Sequence, residues 1–265
     1  MESHKIIHIF NEYHLGDGIF MMNYFHQIAK HLIENNIQVY YYCNTAYKIQ
    51  LEEFVLSCQG HVQICPLKDK PADAIDVWMK HSFAHFQLYP FNNFLLNHTN
   101  RIAKLLDLPQ IESFFYEDDD LSSRYERLPD SCKDIDVLFV NAVPQSGQYR
   151  YNKADWDALA DQLQKAGYKI VSTSLIKGIQ STIQHSLTVK DIAAISTRAK
   201  YIVGVNSGPI APCLNAYTIA NVKRWFLFDF TVHYKYPAIQ MCNTLADVSA
   251  ALIPKPSDAP PANHP

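Results

Sequence analysis

The sequence predicts an α/β protein with two domains, each built around an open parallel sheet with crossover helices. One observation is a βαβ rhythm in the first half, where short β-branched and aromatic runs alternate with stretches of helical spacing. A second is that the same rhythm restarts at residue 136 and continues to residue 253. The third is the length, because 265 residues suit about two domains of roughly 150 residues each.

The first half of the chain alternates between predicted strands and helices. Short apolar runs predict strands over 5–10, 37–43, 62–67 and 74–79. Apolar residues at helical spacing predict helices over 19–36, 47–58 and 91–106. The segment 14–18, His-Leu-Gly-Asp-Gly, is predicted to be a loop between the first strand and the first helix.

The middle of the chain, residues 111–134, has no clear periodicity and contains an acidic run at 117–120. Such a run is typical of a solvated loop, and we do not assign it to metal binding. This stretch is predicted to hold the domain boundary, with an N-terminal Rossmann-like domain over 1–125 and a C-terminal Rossmann-like domain over 126–253. The proline-rich tail, 254–265, is predicted to be disordered.

The second half repeats the pattern. Strands are predicted over 136–141, 168–173, 201–205 and 224–228, and helices over 153–166, 189–199 and 243–253. Gly167 is expected just after the end of one helix, and Thr188 is a candidate N-cap for the next. In open parallel sheets, ligands bind outside the carboxyl ends of the strands. The loops 14–18 and 206–209 both follow strands, so both are expected to face a cleft between the sheets.

Composition narrows the functional classes. A net charge of −3 gives no reason to expect nucleic acid as a partner. Six cysteines without a C-x-x-C spacing favour reduced thiols rather than a disulfide framework. No apolar run reaches the length of a membrane helix, and the N-terminus lacks a signal-peptide pattern. We expect a soluble, cytoplasmic protein without a transmembrane segment, with peripheral association with a membrane left open.

The stretch 201–209, Tyr-Ile-Val-Gly-Val-Asn-Ser-Gly-Pro, combines a buried strand, a turn and a proline suited to the first turn of a helix. Backbone N–H groups at such a junction favour an anion, which predicts a phosphate site at Asn206, Ser207, Gly208 and Pro209. The alternative is an ordinary turn after a strand, and the two interpretations are equally favoured on this stretch alone.

Other candidate residues also carry two interpretations. Asp17, between Gly16 and Gly18, could be a general base or could cap the following helix. Arg150 and, more weakly, Lys177 could neutralise a diphosphate or could be surface cations. The run 172–174, Ser-Thr-Ser, could contact a base or ribose, or could form a turn. His81 and His85 are four residues apart, but no third metal ligand is visible, so we predict no metal site.

Three segments together resemble the bacterial heptosyltransferase family, ADP-heptose-dependent GT-B glycosyltransferases with two Rossmann-like domains. They are Leu-Gly-Asp-Gly at 15–18 after the first strand, the strand–loop–helix segment 137–171, and Val-Asn-Ser-Gly-Pro at 205–209. The chain departs from the family at 206, where Asn replaces Asp, and at 211, where Ala replaces His. Met21 and Met22 also stand where threonine usually follows the Gly-Asp pair.

The resemblance implies a GT-B architecture, with 1–125 as the acceptor-side domain and 126–253 as the nucleotide-sugar-binding domain. It also implies a set of residue roles. Asp17 would be the general base that activates an acceptor hydroxyl, with Gly16 and Gly18 shaping its loop. Ser207 and Gly208, flanked by Asn206 and Pro209, would contact the donor diphosphate. Arg150 and Lys177 would offset its charge. The family's enzymes typically work without a bound metal, so no cofactor beyond the nucleotide-sugar substrate is expected.

We therefore expect a metal-independent glycosyltransferase that moves a sugar from a nucleotide-sugar donor to a glycan, glycolipid or glycoprotein acceptor. Two rival hypotheses use the same fold. One is a sugar-nucleotide epimerase, which would need acidic or histidine residues grouped around the sugar. The other is a non-catalytic nucleotide-sugar-binding protein, which the departures at Asn206 and Ala211 favour.

Overall fold

The computed structural model describes residues 5–78, 90–145 and 147–253, which form two parallel sheets flanked by helices. The strands are β1 Lys5–Phe10, β2 Ile37–Cys43, β3 Val62–Pro66, β4 Ile75–Asp76, β5 Val137–Val140, β6 Ile170–Ser172, β7 Gln180–Ser181, β8 Tyr201–Val205, β9 Arg224–Phe228 and β10 Ile239–Cys242. The α-helices are α1 Leu15–Gln27, α2 Ala29–Glu34, α3 Lys48–Glu52, α4 Phe91–Leu105, α5 Asp120–Glu126, α6 Lys153–Lys165, α7 Val189–Ser196, α8 Ala216–Asn221 and α9 Leu245–Leu252.

The first sheet has four strands in the order β3-β2-β1-β4, with Lys5 opposite Ile37 and Ile9 opposite Ile75. Alternate residues of β1 and β2, including Ile9 and Val39, point into the core and are fully buried. The strand predicted over 74–79 is shorter, because β4 ends at Asp76. Residues 79–89, with His81 and His85, lie outside the described residues, as does the tail 254–265.

The second sheet has six strands in the order β10-β9-β8-β5-β6-β7. β8 lies near its centre, and its last four residues are buried because both faces of a parallel sheet are covered. This burial accounts for the uninterrupted apolar run at 202–205. The short strands β7 and β10 were not predicted, because the charged or amide residues within or beside them hide any apolar pattern.

Two predictions of local structure in the first half are wrong. The helix predicted to begin at residue 19 begins at Leu15, and it breaks at Ile28 into α1 and α2. An acidic side chain in the first turn suits the helix dipole, so Leu-Gly-Asp-Gly forms that turn rather than a loop. The helix predicted over 47–58 is reduced to α3 between two 3₁₀ turns, because i→i+3 bonds tighten the backbone after Leu51 and Glu52.

Helix termini in the second half confirm the predicted caps. Thr188 and Asp191 form a reciprocal capping box at the start of α7. Gly167 follows the end of α6 with φ +89°, a backbone angle that favours glycine. These local signals were readable from the sequence because they depend on residues three or four positions apart.

The acidic run at 117–120 is only in part the solvated loop that its charge predicted, because Glu117 and Asp119 are exposed but Asp118 is buried. Asp118 is only 4% exposed, and its Oδ2 lies 2.9 Å from Nζ of Lys190, which is 2% exposed. The run leads directly into α5, which is seven residues long and therefore too short to show a helical pattern. Burial of Asp118 is tolerated because a buried carboxylate needs a partner of opposite charge, and Lys190 supplies it.

An ion-pair cluster extends from this buried pair and joins the two halves of the chain. Arg124 of α5 lies 3.0 Å from Glu53, which follows α3, and 3.0 Å from Asp191 of α7. Lys190 also donates to the backbone carbonyl of Glu53 at 2.8 Å. The cluster therefore connects, through α5, the half of the chain that contains the first sheet to the half that contains the second sheet. The boundary predicted between residues 125 and 126 falls inside α5 and stays a prediction.

Candidate functional site

Two strand-to-helix junctions meet at the carboxyl edges of the two sheets. β1 leads into α1, and β8 leads into a 3₁₀ helix, Gly208–Cys213. A Cβ built on Gly16 would lie 3.6 Å from the Cα of Gly208, so the two junctions are in close contact. The expectation that both segments face one cleft is confirmed for residues 14–17 and 206–209, which line one cavity.

A cavity of about 560 Å³ lies at this meeting point. Its wall combines aromatic and aliphatic side chains with a few polar groups, as is usual for small-molecule sites. The lining residues are His14, Leu15, Gly16, Asp17, Phe20, Tyr47, Trp78, Phe91, Ala142, Val143, Gln145, Gln148, Asn206, Ser207, Gly208, Pro209, Ala211, Asp229, Thr231 and Val232. Six of the nine candidate donor-binding and catalytic residues are among them, namely Gly16, Asp17, Asn206, Ser207, Gly208 and Pro209.

Three other candidate residues do not line the cavity. Arg150, which ends the loop before α6, and Lys177, in the turn before β7, are both exposed. Gly18 is buried, and a Cβ there would meet the side chain of Leu51 at 3.0 Å and the Tyr41 hydroxyl at 3.4 Å. Gly18 thus faces the protein core. Because none of these three residues lines the cavity, a contact between any of them and the donor stays a prediction.

The two glycines of α1 give a matched stability test. Gly18→Ala is expected to be less stable than Gly16→Ala by about 1–3 kcal/mol, because both variants gain helix propensity but the methyl group at position 18 would press on the buried Leu51. Gly16→Ala is expected to be neutral or slightly stabilising, because its nearest neighbours are Gly208 and Ala211 at 3.6 and 3.9 Å. Urea unfolding of both variants measures the difference, and equal destabilisation would contradict this packing.

Asp17 is the cavity's distinctive titratable group. It lies in the first turn of α1, while the N-cap position is held by His14, so Asp17 is not the helix cap. Burial raises its pKa from 3.8 to about 7, and the neighbouring side chains of Asn11 and Trp78 offset part of the rise. A carboxylate with a pKa near neutrality is suited to take up a proton during a reaction.

Asp229 is a site residue that the sequence reasoning missed. It directly follows β9, and its Oδ2 accepts a hydrogen bond from Nδ2 of Asn206 at 2.6 Å. Its Oδ1 accepts from the backbone N–H groups of Thr231 and Val232 and from the Thr231 hydroxyl. Asp229 thereby fixes both Asn206 and the turn that forms one cavity wall. An acidic residue immediately after a buried strand was the available signal.

The polar run Ser172-Thr173-Ser174 has a structural role. The Ser172 hydroxyl donates to Oδ1 of Asn141 at 2.8 Å, and the Thr173 hydroxyl accepts from the Asn141 N–H at 3.0 Å. The Ser174 hydroxyl donates to the Asn141 carbonyl. These bonds tie the ends of β5 and β6 together. The Ser174 N–H also donates to the Ser172 hydroxyl at 3.2 Å, a local turn bond that agrees with the turn interpretation. Within the described ranges, no three His, Cys, Asp or Glu side chains are grouped as metal ligands.

Two parallel sheets that face a shared cavity at their carboxyl edges define a GT-B fold. The chain is similar in structure to E. coli heptosyltransferase WaaC with ADP-2-deoxy-2-fluoro heptose, with 12% identity, coverage of 94% of this chain and 97% of that one, and a TM-score of 0.58. WaaC solved with ADP aligns at 13% identity over 93% and 97% of the two chains, with a TM-score of 0.55.

A further similar structure is the iron-containing dodecameric glycosyltransferase TibC from enterotoxigenic E. coli H10407. It has 12% identity, coverage of 92% of this chain and 64% of that one, and a TM-score of 0.50. No protein-family model and no curated protein matches the chain. The heptosyltransferase resemblance drawn from short motifs is confirmed at the level of the fold, which is what likeness at such identities shows.

Proposed function

We propose that the chain is a glycosyltransferase that transfers a sugar from a nucleotide-sugar donor to a hydroxyl of a glycan, glycolipid or glycoprotein. The observation that carries the proposal is the position of Asp17, a carboxylate with a pKa of about 7, in the wall of the cavity between the two sheets. The GT-B fold supports it, because WaaC, which shares that fold, was solved with a nucleotide sugar.

In this mechanism the acceptor hydroxyl attacks the anomeric carbon of the donor sugar. The bond from that carbon to the diphosphate oxygen breaks, and its electron pair leaves with the nucleoside diphosphate. Asp17 takes the hydroxyl proton. Ser207, Gly208 and the first turn of α1 lie where they can face the diphosphate, so their dipoles would stabilise the negative charge that develops on it.

Three further features complete the proposal. We assign no metal to the transfer, because charge stabilisation rests on the protein's own dipoles. All six cysteines are free thiols, which supports a cytoplasmic site of action. None of the described helices is long and apolar enough to cross a membrane. An epimerase would need acidic or histidine residues grouped around the sugar. Among the described lining residues these are His14, Asp17 and Asp229, and Asp229 is engaged in holding Asn206.

A thermal-shift panel with ADP, GDP, UDP, CMP and their common sugar conjugates tests this function. We expect one nucleotide class to raise the melting temperature, because a ligand at 100 times its dissociation constant adds about 2.7 kcal/mol of stability. The absence of any shift across the panel would contradict the proposal.

The variant Ser207→Trp locates the binding. Ser207 makes a side-chain hydrogen bond to the Val205 carbonyl at 3.2 Å and lines the cavity, so a tryptophan there would fill the space. We expect Ser207→Trp to lose the ligand-induced shift. The matched control Ser207→Ala, which removes the hydroxyl without filling the cavity, is expected to retain most of it. An undiminished shift in Ser207→Trp would place the ligand elsewhere.

A further inference from the structure

A buried amide lies directly behind the proposed general base. Asn11 follows β1, is only 3% exposed, and its side chain contacts the side chain of Asp17. Asp17 lines the cavity, whereas Asn11 is not one of the lining residues. Asn11 therefore reaches Asp17 from the protein interior, and the side of Asp17 that faces the cavity is left for a substrate.

The backbone fixes the orientation of this amide. The Asn11 N–H donates to the Tyr42 carbonyl at 3.0 Å, which continues the pairing of β1 with β2 beyond the last residue of β1. The Tyr13 N–H donates to Oδ1 of Asn11 at 2.9 Å and closes an Asx turn. Because Oδ1 is engaged by a backbone donor, the group that the amide presents to Asp17 is Nδ2.

The Nδ2 group is buried between two polar side chains. It contacts Asp17 and the hydroxyl of Tyr41, which is fully buried. Within the part of the chain that the structure describes, neither Nδ2 nor that hydroxyl makes a hydrogen bond of standard geometry. The hydroxyl lies under the first turn of α1, at 3.4 Å from the Cβ position of Gly18. Catalytic hydrogen bonds are often long in a free enzyme and shorten when the substrate is bound.

The electrostatic effect of the contact has the sign that a general base needs. Burial raises the pKa of Asp17 to about 7, and the contact with Asn11 lowers that pKa. Donation of an N–H to the carboxylate has this effect, because it stabilises the charged form. Burial also raises the pKa of Tyr41 well above its ordinary value, so its hydroxyl stays neutral. Asn11 therefore favours the form of Asp17 that can accept a proton.

Other titratable groups surround the same carboxyl group. They are His14 at the N-cap of α1, Tyr41 of β2, Asp76 at the end of β4 beside Tyr41, and Asp229 in the cavity wall. Each of them can change the titration of Asp17 through its charge. A test of Asn11 must therefore leave all four in place and change only the amide.

We propose that Asn11 is a positioning residue for the general base, holding the Asp17 carboxylate from the interior while the acceptor hydroxyl approaches from the cavity. One N–H of its amide is directed to the carboxylate, and the other is directed to the hydroxyl oxygen of Tyr41. The inference rests on the proposed glycosyltransferase function and assigns to its base a partner that does not touch the substrate.

A carboxyl titration measures this role without any substrate. Protein with isotopically labelled aspartate carboxyl groups is titrated by NMR, and the Asp17 signal is identified by its loss in Asp17→Asn. The wild-type midpoint is expected at about 7. Asn11→Ser removes the amide donor and keeps a side-chain oxygen for the turn. Its Asp17 midpoint should lie about one pH unit higher, which is the order of effect of a hydrogen bond to a charged group.

Two further variants separate the amide donor from the turn. Asn11→Asp keeps an oxygen of the same reach for the Tyr13 N–H but replaces the donor by a carboxyl group. One of the two neighbouring carboxyl groups should then stay protonated to a higher pH than in Asn11→Ser. The matched control is Asn44→Ser. Asn44 is exposed, follows β2 as Asn11 follows β1, and accepts from the Ala46 N–H at 3.0 Å in the same kind of turn. It should leave the Asp17 midpoint unchanged.

The pH profile of turnover adds a readout that a purely structural role would not move. In Asn11→Ser the rise of turnover with pH should shift to higher pH by the same interval as the carboxyl midpoint. Turnover should therefore recover toward the wild-type value at high pH. A role in folding alone would instead lower turnover by the same factor at every pH.

The outcomes separate this inference from the proposed function. A raised midpoint confined to the Asn11 variants, with a matching shift of the turnover profile, supports the inference. An Asp17 midpoint in Asn11→Ser and Asn11→Asp equal to that of the wild type overturns it, and so does an equal rise in Asn44→Ser. A wild-type protein that neither shows a nucleotide-induced thermal shift nor transfers a sugar overturns the proposed function, and with it the catalytic role of Asn11.

Discussion

Asp17→Asn is expected to reduce sugar transfer by about 10²- to 10⁴-fold, which is the range that a positioned general base contributes. The amide keeps the size of the carboxyl group but cannot accept the hydroxyl proton. Donor binding should persist, because the nucleotide is held by other parts of the cavity. Steady-state turnover and nucleotide-induced thermal shift measure the two properties in one variant. Unchanged turnover would remove Asp17 from the mechanism.

The pH dependence of turnover gives an independent check on the same residue. Because burial raises the pKa of Asp17 to about 7, the fraction of active carboxylate should rise as the pH increases from 6 to 8. Wild-type turnover at subsaturating substrate should increase over that interval. The residual turnover of Asp17→Asn should lack this increase, and a shared profile would assign the titration to another group.

The same variant is expected to change stability in a pH-dependent way. The folded pKa of Asp17 is about 7 and its ordinary value is 3.8, so between these values the folded state retains a proton that the unfolded state has released. Stability is therefore lost as the pH rises through this window, and the cost is complete above pH 7. Asp17→Asn avoids that cost. Its melting temperature should exceed that of the wild type at pH 8, with the difference disappearing near pH 4.

Asp118→Ala is expected to lower the free energy of unfolding by about 3–5 kcal/mol. The substitution leaves the ammonium of Lys190, which is 2% exposed, without the carboxylate 2.9 Å away. Asp120, at 3.4 Å and more exposed, compensates only in part. Urea unfolding measures the loss, and a change below about 1 kcal/mol would show that the pair behaves as a surface ion pair.

Two controls separate the effect of burying an ion pair from the effect of losing a single charge. Asp161→Ala breaks an ion pair with Lys165 that is exposed on both sides, so its cost should stay below about 1 kcal/mol. The double variant Asp118→Leu/Lys190→Met removes both buried charges and should recover most of the stability lost in Asp118→Ala, because no uncompensated charge remains. Failure of the double variant to recover would indicate that the hydrogen bond from Lys190 to the Glu53 carbonyl dominates.

The parts of the fold that were readable from the sequence depend on local pattern. β1, β2, β8 and β9 were predicted with the bounds that the structure gives, and β3 and β5 within one residue at each end, since buried parallel strands are largely continuous apolar runs. The caps at Thr188 and Gly167 were also readable. The start of α1 was misplaced, because glycines at 16 and 18 are typical of loops and conceal a helical first turn.

The parts that could not be read depend on long-range contact. Asp118 and Lys190 are separated by 72 residues, so nothing near Asp118 in the sequence indicates that it is buried and paired. Asp229 reaches Asn206 only because β8 and β9 are neighbours, a sheet order that the sequence does not specify. Arg150 and Lys177 were predicted to offset the donor's charge because they are cations in loops. The position of a loop in the sequence, however, does not determine whether its side chains reach the cavity.

The most direct test of the account is the fate of the nucleotide conjugate that the thermal-shift panel selects. Purified protein is incubated with that conjugate, a panel of glycan, glycolipid and glycoprotein acceptors and excess EDTA, and both the nucleotide and the sugar are followed. We predict release of the nucleoside diphosphate in step with formation of a glycoside, because the transfer is proposed to need no metal. Conversion to an isomeric sugar nucleotide without release would identify an epimerase, and a conjugate that is bound but never consumed would identify a non-catalytic binding protein. Either result would contradict the proposed transferase.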